Sequence, residues 1–176
     1  MSQAAAAPAD GGALPVKDRV IIALIAAFTL VAFTLEAYWI WFNQVMESRT
    51  DVLARTLALY WPADYTYRVP GYAIEKCFTL AVEGANVLVT PVLSLVLVRA
   101  ILLRKPYRYP LQLTIATFVF YGTLLYYLVA HLSGYAVFAE KTTSTYLMFY
   151  LASLPWLLAY GWMGADAFRA IVRQAT

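Results

Sequence analysis

Two glutamates stand inside long apolar runs. Glu36 lies in VIIALIAAFTLVAFTLEAYWIWF (20–42) and Glu83 in CFTLAVEGANVLVTPVLSLVLVRAILL (77–103). A carboxylate in hydrocarbon costs several kcal/mol, so such residues normally face a protein interior or a cavity. Paired there, they can do one kind of chemistry without help. A protonated carboxyl can give its proton to a carbon–carbon double bond, and a second carboxyl can take a proton from elsewhere. The intermediate is a carbocation, which aromatic faces such as that of Trp156 can stabilise by cation–π contact. The reaction is redox-neutral, so no cofactor is expected, and no metal-ligand cluster, nucleotide loop or nucleophile motif is present in the sequence.

Spacing places the two acids together. Glu36 precedes the end of its run, at Phe42, by 6 residues, and Glu83 follows the start of its run, at Cys77, by 6. In two antiparallel helices both carboxyls then lie about 9 Å from the same end, at 1.5 Å per residue. Counted the same way, Tyr121 and Thr123 reach that level on a third run, and Tyr150, Ser153 and Trp156 on a fourth. Thr79, Glu83, Asn86, Thr90 and Ser94 are spaced to share one helix face, and a polar stripe on an apolar helix points to a bundle interior. The expected catalytic pair is therefore Glu83, as principal acid and base, with Glu36. The expected binding residues are Trp156, Asn86, Ser153, Tyr121, Thr90 and Trp39. Pro91 and Pro155 are expected to kink their helices beside these faces.

Four runs long enough to cross a bilayer must position these groups, at about 20–42, 77–103, 110–131 and 145–168. The chain has 176 residues, of which 62% are hydrophobic and 13% charged. Soluble domains average about 25% charged residues, so the fold class expected is an all-α integral membrane protein, a four-helix bundle with an intramembrane ligand cavity. Residues 1–16 are expected to be a disordered tail, and 17–173 one membrane domain. The net charge of +3 does not cluster on a soluble face, which argues against nucleic acid as a partner. Lys17, Arg19, Arg104, Lys105, Arg108, Arg169 and Arg173 gather on one side instead, so both termini are expected in the cytoplasm. The single Cys77 excludes an internal disulfide. The segment 52–61, VLARTLALYW, has a helical apolar pattern suited to a membrane surface. Asp166 is expected to pair with Arg169 or Arg173, and His131 to be an interfacial surface group.

The ordered series of motifs resembles the emopamil-binding protein family, the four-helix EXPERA domain. Its best stretches are YRYPLQLTIATFVFYGTLLYYLVAH (107–131) and TYLMFYLASLPWLLAYG (145–161). Glu83 with Pro91 to Ser94 is similar to the family's second helix, and LEAYWIWF (35–42) to its first acidic motif. The resemblance implies a sterol Δ8–Δ7 isomerase or a binder of sterols and cationic amphiphiles. It maps the two intramembrane glutamates onto Glu36 and Glu83, and the tryptophan facing the cationic intermediate onto Trp156. The pattern departs at Ala32, Asn86, Thr123 and Ser153, where the isomerases carry histidine, threonine, an acidic residue and asparagine.

The leading expectation is thus a membrane double-bond isomerase acting on a sterol or related polycyclic terpenoid. The alternative is a non-catalytic sterol, lipid or cationic-amphiphile binding and trafficking protein using the same cavity. A proton-coupled transporter is a third class, which four spans without a repeat would serve only as a homodimer. The resemblance implies the endoplasmic reticulum for a eukaryotic chain; a bacterial chain would sit in the inner membrane.

Overall fold

The computed structural model describes residues 13–68 and 70–176. The expected tail falls largely on residues 1–12, outside the described residues. Four helices are long and apolar enough to span a membrane: α1 (Val16–Phe42), α3 (Ile74–Leu102), α4 (Arg108–Leu132) and α5 (Thr143–Ala175). A short helix, α2 (Val52–Ala58), lies in the first connection. There is no strand among the described residues. The protein is an integral membrane protein.

Two of the long helices carry a local irregularity, and a third holds an internal proline. In α1 the ladder widens to a π-turn over Ala32–Glu36, an extra residue that re-aims the side chains following it. Glu36 is the last residue of that turn. In α3 the ladder is interrupted at Val89, between segments ending at Leu88 and starting at Thr90. Pro91 has no N–H to donate, and its ring displaces the preceding turn. Pro155 sits within α5.

The half of the bundle near the chain termini is solid. Ile21, Ile25 and Phe28 of α1, Leu97 and Ile101 of α3, Ile115 and Val119 of α4 and Tyr160 and Met163 of α5 form one buried cluster. Polar ties close that end. Arg108 grips Asp18 through both terminal guanidinium nitrogens, at 3.0 and 2.5 Å. Asp166 accepts from Lys17 at 2.9 Å and from Gln112 Nε2 at 3.3 Å. Its partner is therefore the start of the chain, 149 residues away, rather than the expected arginines one turn on. Gly161 lets α4 approach α5, because a Cβ there would stand 3.3 Å from the Phe120 ring. Overpacking of this kind typically costs about 1–3 kcal/mol, so Gly161→Val is expected to lower the unfolding midpoint of the purified protein by several degrees, measured by a thermal-shift assay in detergent.

At the other end the connection from 43 to 73 folds back across the helices. The expectation for 52–61 was a surface position. One face of it, Ala54 and Leu57, is buried against Trp39, Met46 and Tyr67, while Val52 and Leu59 of the other face are exposed. Asp51 caps α2, its Oδ1 accepting from Ala54 N at 3.2 Å, while its Oδ2 accepts from Tyr38 at 2.5 Å and from Arg49 at 2.9 Å. Trp39 donates to Tyr67 O at 3.1 Å, and Lys76, only 1% exposed, donates to Asn43 O at 2.8 Å. The α4–α5 loop joins this layer through Tyr65 N to Val137 O and Ala139 N to Pro62 O.

The Tyr38 hydroxyl, then the Ala54 N–H and Arg49, hold the Asp51 carboxyl down to about 2. A carboxyl depressed on folding stabilises the fold above its ordinary range near 4 and loses that contribution as pH falls toward 2. Amide protection over 52–58, corrected for intrinsic exchange, is expected to hold between pH 5 and 7 and to fall between pH 4 and 2. Unchanged protection would separate Asp51 from the docking of α2.

Candidate functional site

Between the solid half and this folded-back layer lies a cavity of about 310 Å³. Its walls come from all four long helices, with Phe28, Leu35 and Glu36 from α1 and Thr79, Val82, Glu83 and Asn86 from α3. Val119, Gly122, Thr123 and Tyr126 of α4 and Ala152, Ser153 and Trp156 of α5 complete them. Its roof is Thr56 and Leu57 of α2 with Tyr60 and Tyr67.

The two carboxyls meet in the wall. Glu36 and Glu83 are neighbours there, with Asn86 beside them. Asn86 Nδ2 stands 3.5 Å from Glu83 Oε2. Two neighbouring buried carboxyls can hold one proton between them. Glu36 Oε2 is buried without a hydrogen-bond partner among the described residues. Tyr67 donates a hydrogen bond to Glu83 Oε1. Burial, and then the neighbouring Glu83, pushes the Tyr67 phenol well above its usual range. Trp156 meets Phe28 edge-on at 5.3 Å and presents its indole to the cavity.

The roof has its own polar support. Asp64 is 1% exposed. Its Oδ1 accepts from Thr66 N at 2.9 Å and Thr66 Oγ1 at 2.6 Å, and its Oδ2 accepts from Tyr126. Thr66 Oγ1 lies 3.2 Å from Thr79 Oγ1. Burial pushes the Asp64 carboxyl up, and the Thr66 and Tyr126 donors oppose that shift. The connection is thereby pinned to α3 and α4 beside the acid pair.

Of the residues expected from sequence, Glu36, Glu83, Asn86, Ser153 and Trp156 come together at this cavity. Three others do not. Tyr121 is 57% exposed on the outer face of α4. Thr90 is buried beyond the break at Val89, its hydroxyl without a partner among the described residues. Trp39 is fully buried and packs on Tyr67 from behind, ring centroids 4.6 Å apart. Tyr60, Asp64 and Tyr67 were not anticipated. Their signal was a turn-rich stretch dense in tyrosine, 60–72, that reads equally as an interfacial belt. His131 stands at the far end of α4, exposed, 3.3 Å from the Tyr135 hydroxyl. No group of three or more metal-ligating side chains is found among the described residues.

Residues 52–167 match the family described as EXPERA, the expanded EBP superfamily. The match takes in α2, α3, α4 and most of α5, whereas α1 with Glu36 precedes it. The chain is 29% identical over 141 residues to protoglabretal synthase of Ailanthus altissima, covering 80% of this chain and 62% of that protein. It is 29% identical over 117 residues to isomeliandiol synthase of the same plant, covering 66% and 54%. The matches thus span less than two thirds of the length of these relatives. With well over half of its residues in the family match and four apolar helices around one acid-bearing cavity, the chain belongs to the EXPERA family.

Proposed function

We propose that the protein is a membrane-embedded isomerase that moves a carbon–carbon double bond in a sterol or related terpenoid lipid. The observation that carries this reading is the contact of Glu36 with Glu83 at a largely apolar cavity roofed by Tyr67. Membership of the family and the likeness to two plant synthases support a terpenoid-related isomerase or synthase. In this mechanism the shared proton passes from Glu83 to one carbon of the double bond, leaving a tertiary cation. Trp156 faces that cation. The carboxylate left behind, or Glu36, removes a proton from the adjacent carbon, and the double bond re-forms one position along. Atoms and charge balance, and the acid is restored with no cofactor. Asn86 and Ser153 orient the pair and the substrate. Both termini lie in the cytoplasm in this reading, with the roof on the opposite side of the membrane.

A second reading is favoured by one observation: no histidine lines the cavity, and Ala32, where the isomerases carry one, is fully buried in the core. In that reading the same cavity binds a sterol or cationic amphiphile without turnover. The two separate in deuterated water. Purified protein in nanodiscs is incubated with a panel of unsaturated sterols and triterpenoids, and products are read by mass spectrometry. The isomerase reading expects deuterium incorporation with a moved double bond. Saturable binding of panel members with no exchange in any would make the binder reading the better one.

A further inference from the structure

A second concavity, of about 290 Å³, opens at the opposite end of the bundle, where α1 begins and α3 turns into α4. Its lining includes Arg104, Lys105 and Arg108 with Asp18, and beside them the apolar Leu14 and Pro15. The local charge does not balance. Asp18 is consumed by Arg108, both ends of that pair being nearly buried, with side chains 6% and 11% exposed. The Nε of Arg108 still lacks an acceptor among the described residues. Arg104 and Lys105 have no side-chain partner among them either, and Asp18 is the one acidic residue of the lining. Among the described residues, two cations without a side-chain partner therefore share a cleft with an apolar flank.

The backbone holds them there at a cost. Arg104 has φ +49°, a left-handed conformation in which a non-glycine residue is disfavoured by about 1–2 kcal/mol. It ends α3 with Lys105 N donating to Ala100 O at 2.9 Å. Glycine is the usual residue at such a helix end, and here an arginine occupies it. The N-terminus of α4 opens at Arg108 in the same cleft and adds the positive end of its dipole. Arg104 and Lys105 are themselves exposed; what sets them apart from the other cations of this membrane side is that they stand at the mouth of a cleft whose floor is the nearly buried Asp18–Arg108 pair.

We infer that this cleft binds the phosphate of an anionic phospholipid, with Arg104 and Lys105 on the phosphate oxygens and Leu14 and Pro15 against the start of the acyl region. Basic pockets between membrane helices suit such headgroups. The site is remote from the acid pair and stands whether or not the isomerase reading holds.

The test uses the full chain, delipidated in detergent and titrated with dioleoyl phosphatidylglycerol or dioleoyl phosphatidylcholine, with bound lipid counted by native mass spectrometry. Phosphatidylglycerol is expected to bind about thirtyfold more tightly than phosphatidylcholine, from two cations at roughly 1 kcal/mol each near a headgroup. Arg104→Gln with Lys105→Gln is expected to erase that preference. Arg19→Gln with Arg169→Gln, exposed cations outside the cleft, is the charge-matched control and is expected to keep it. Three results would overturn the inference: no preference in the native chain, a preference that survives in the cleft variant, or equal loss in the control. Inorganic phosphate at millimolar concentration is expected not to displace the lipid; full displacement would assign the cleft to free phosphate instead. The thermal midpoint of each variant, measured alongside, identifies a fold defect, and Arg104→Gly then removes the cation while relieving the left-handed backbone.

Discussion

Glu83→Gln is expected to abolish turnover of whichever terpenoid the deuterium experiment identifies, while leaving its binding within about threefold. The amide keeps the volume of the carboxyl and still offers an oxygen to the Tyr67 hydroxyl. What it removes is the transferable proton. General acid catalysis by a positioned side chain is worth about 10²–10⁴-fold, so a residual rate below about one hundredth of the native rate is expected. Glu36→Gln is expected to fall in the same range, because a pair that shares one proton acts as a unit and its two deletions are not additive. Turnover is read by mass spectrometry in deuterated water, and binding by the ligand-induced rise in thermal midpoint. Parallel loss of binding and turnover would make Glu83 a binding residue. Full turnover in Glu83→Gln would remove it from the chemistry altogether.

That prediction rests on a meeting of side chains which the sequence placed well in one dimension. Helix length and apolarity locate the spans, and a count of residues from each end locates the depth of Glu36 and Glu83. Depth says nothing of azimuth. Tyr121 shares the right level on α4 but not the right face: the cavity-lining residues Val119, Gly122, Thr123 and Tyr126 follow the i, i+3, i+4, i+7 stripe of a helix, and Tyr121 falls between its members. The stripe on α3 does face the interior, with Thr79, Glu83, Thr90 and Ser94 all buried, but only part of it reaches the cavity. Its register is continuous from Thr79 to Asn86 and is cut at Val89 by Pro91, so Thr90 and Ser94 belong to the solid core. On α1 the π-turn at Ala32–Glu36 is the feature an ideal 3.6-residue period cannot anticipate.

The roof was the least legible part. Its residues lie in a connection whose polar and aromatic side chains have an ordinary explanation at a membrane interface. Nothing local to 43–73 says that it returns across the bundle. That is decided by long-range partners: Trp39 Nε1 on Tyr67 O, Lys76 Nζ on Asn43 O and Tyr126 on Asp64. Local bonds such as Thr66 to Asp64 and Ala54 N to Asp51 shape the connection, but the ties that dock it come from other segments, which is why burial, not pattern, reveals it.

Tyr67→Phe carries the second large expected effect, and it tests the roof as part of the site. The substitution keeps the ring that packs, tilted, at 4.6 Å on Trp39 and meets Tyr60 edge-on at 5.6 Å, so the connection should stay docked. Only the hydrogen bond to Glu83 is lost. A hydrogen bond to a charged group is worth about 1.5–3 kcal/mol, and one that fixes the acid which must reach the double bond acts on the chemical step. The expected result is a fall in kcat of about tenfold to a hundredfold with KM nearly unchanged, since the ring still faces the cavity. Tyr67→Ala removes the packing as well, and is expected to lower both turnover and the thermal midpoint. If Tyr67→Phe keeps native kcat while Glu83→Gln is inactive, Tyr67 is a packing residue and Glu83 orients itself through Glu36 and Asn86 alone. If Tyr67→Phe loses activity and its amides over 52–68 also exchange faster, the hydroxyl holds the roof in place, and its effect on the acid is indirect.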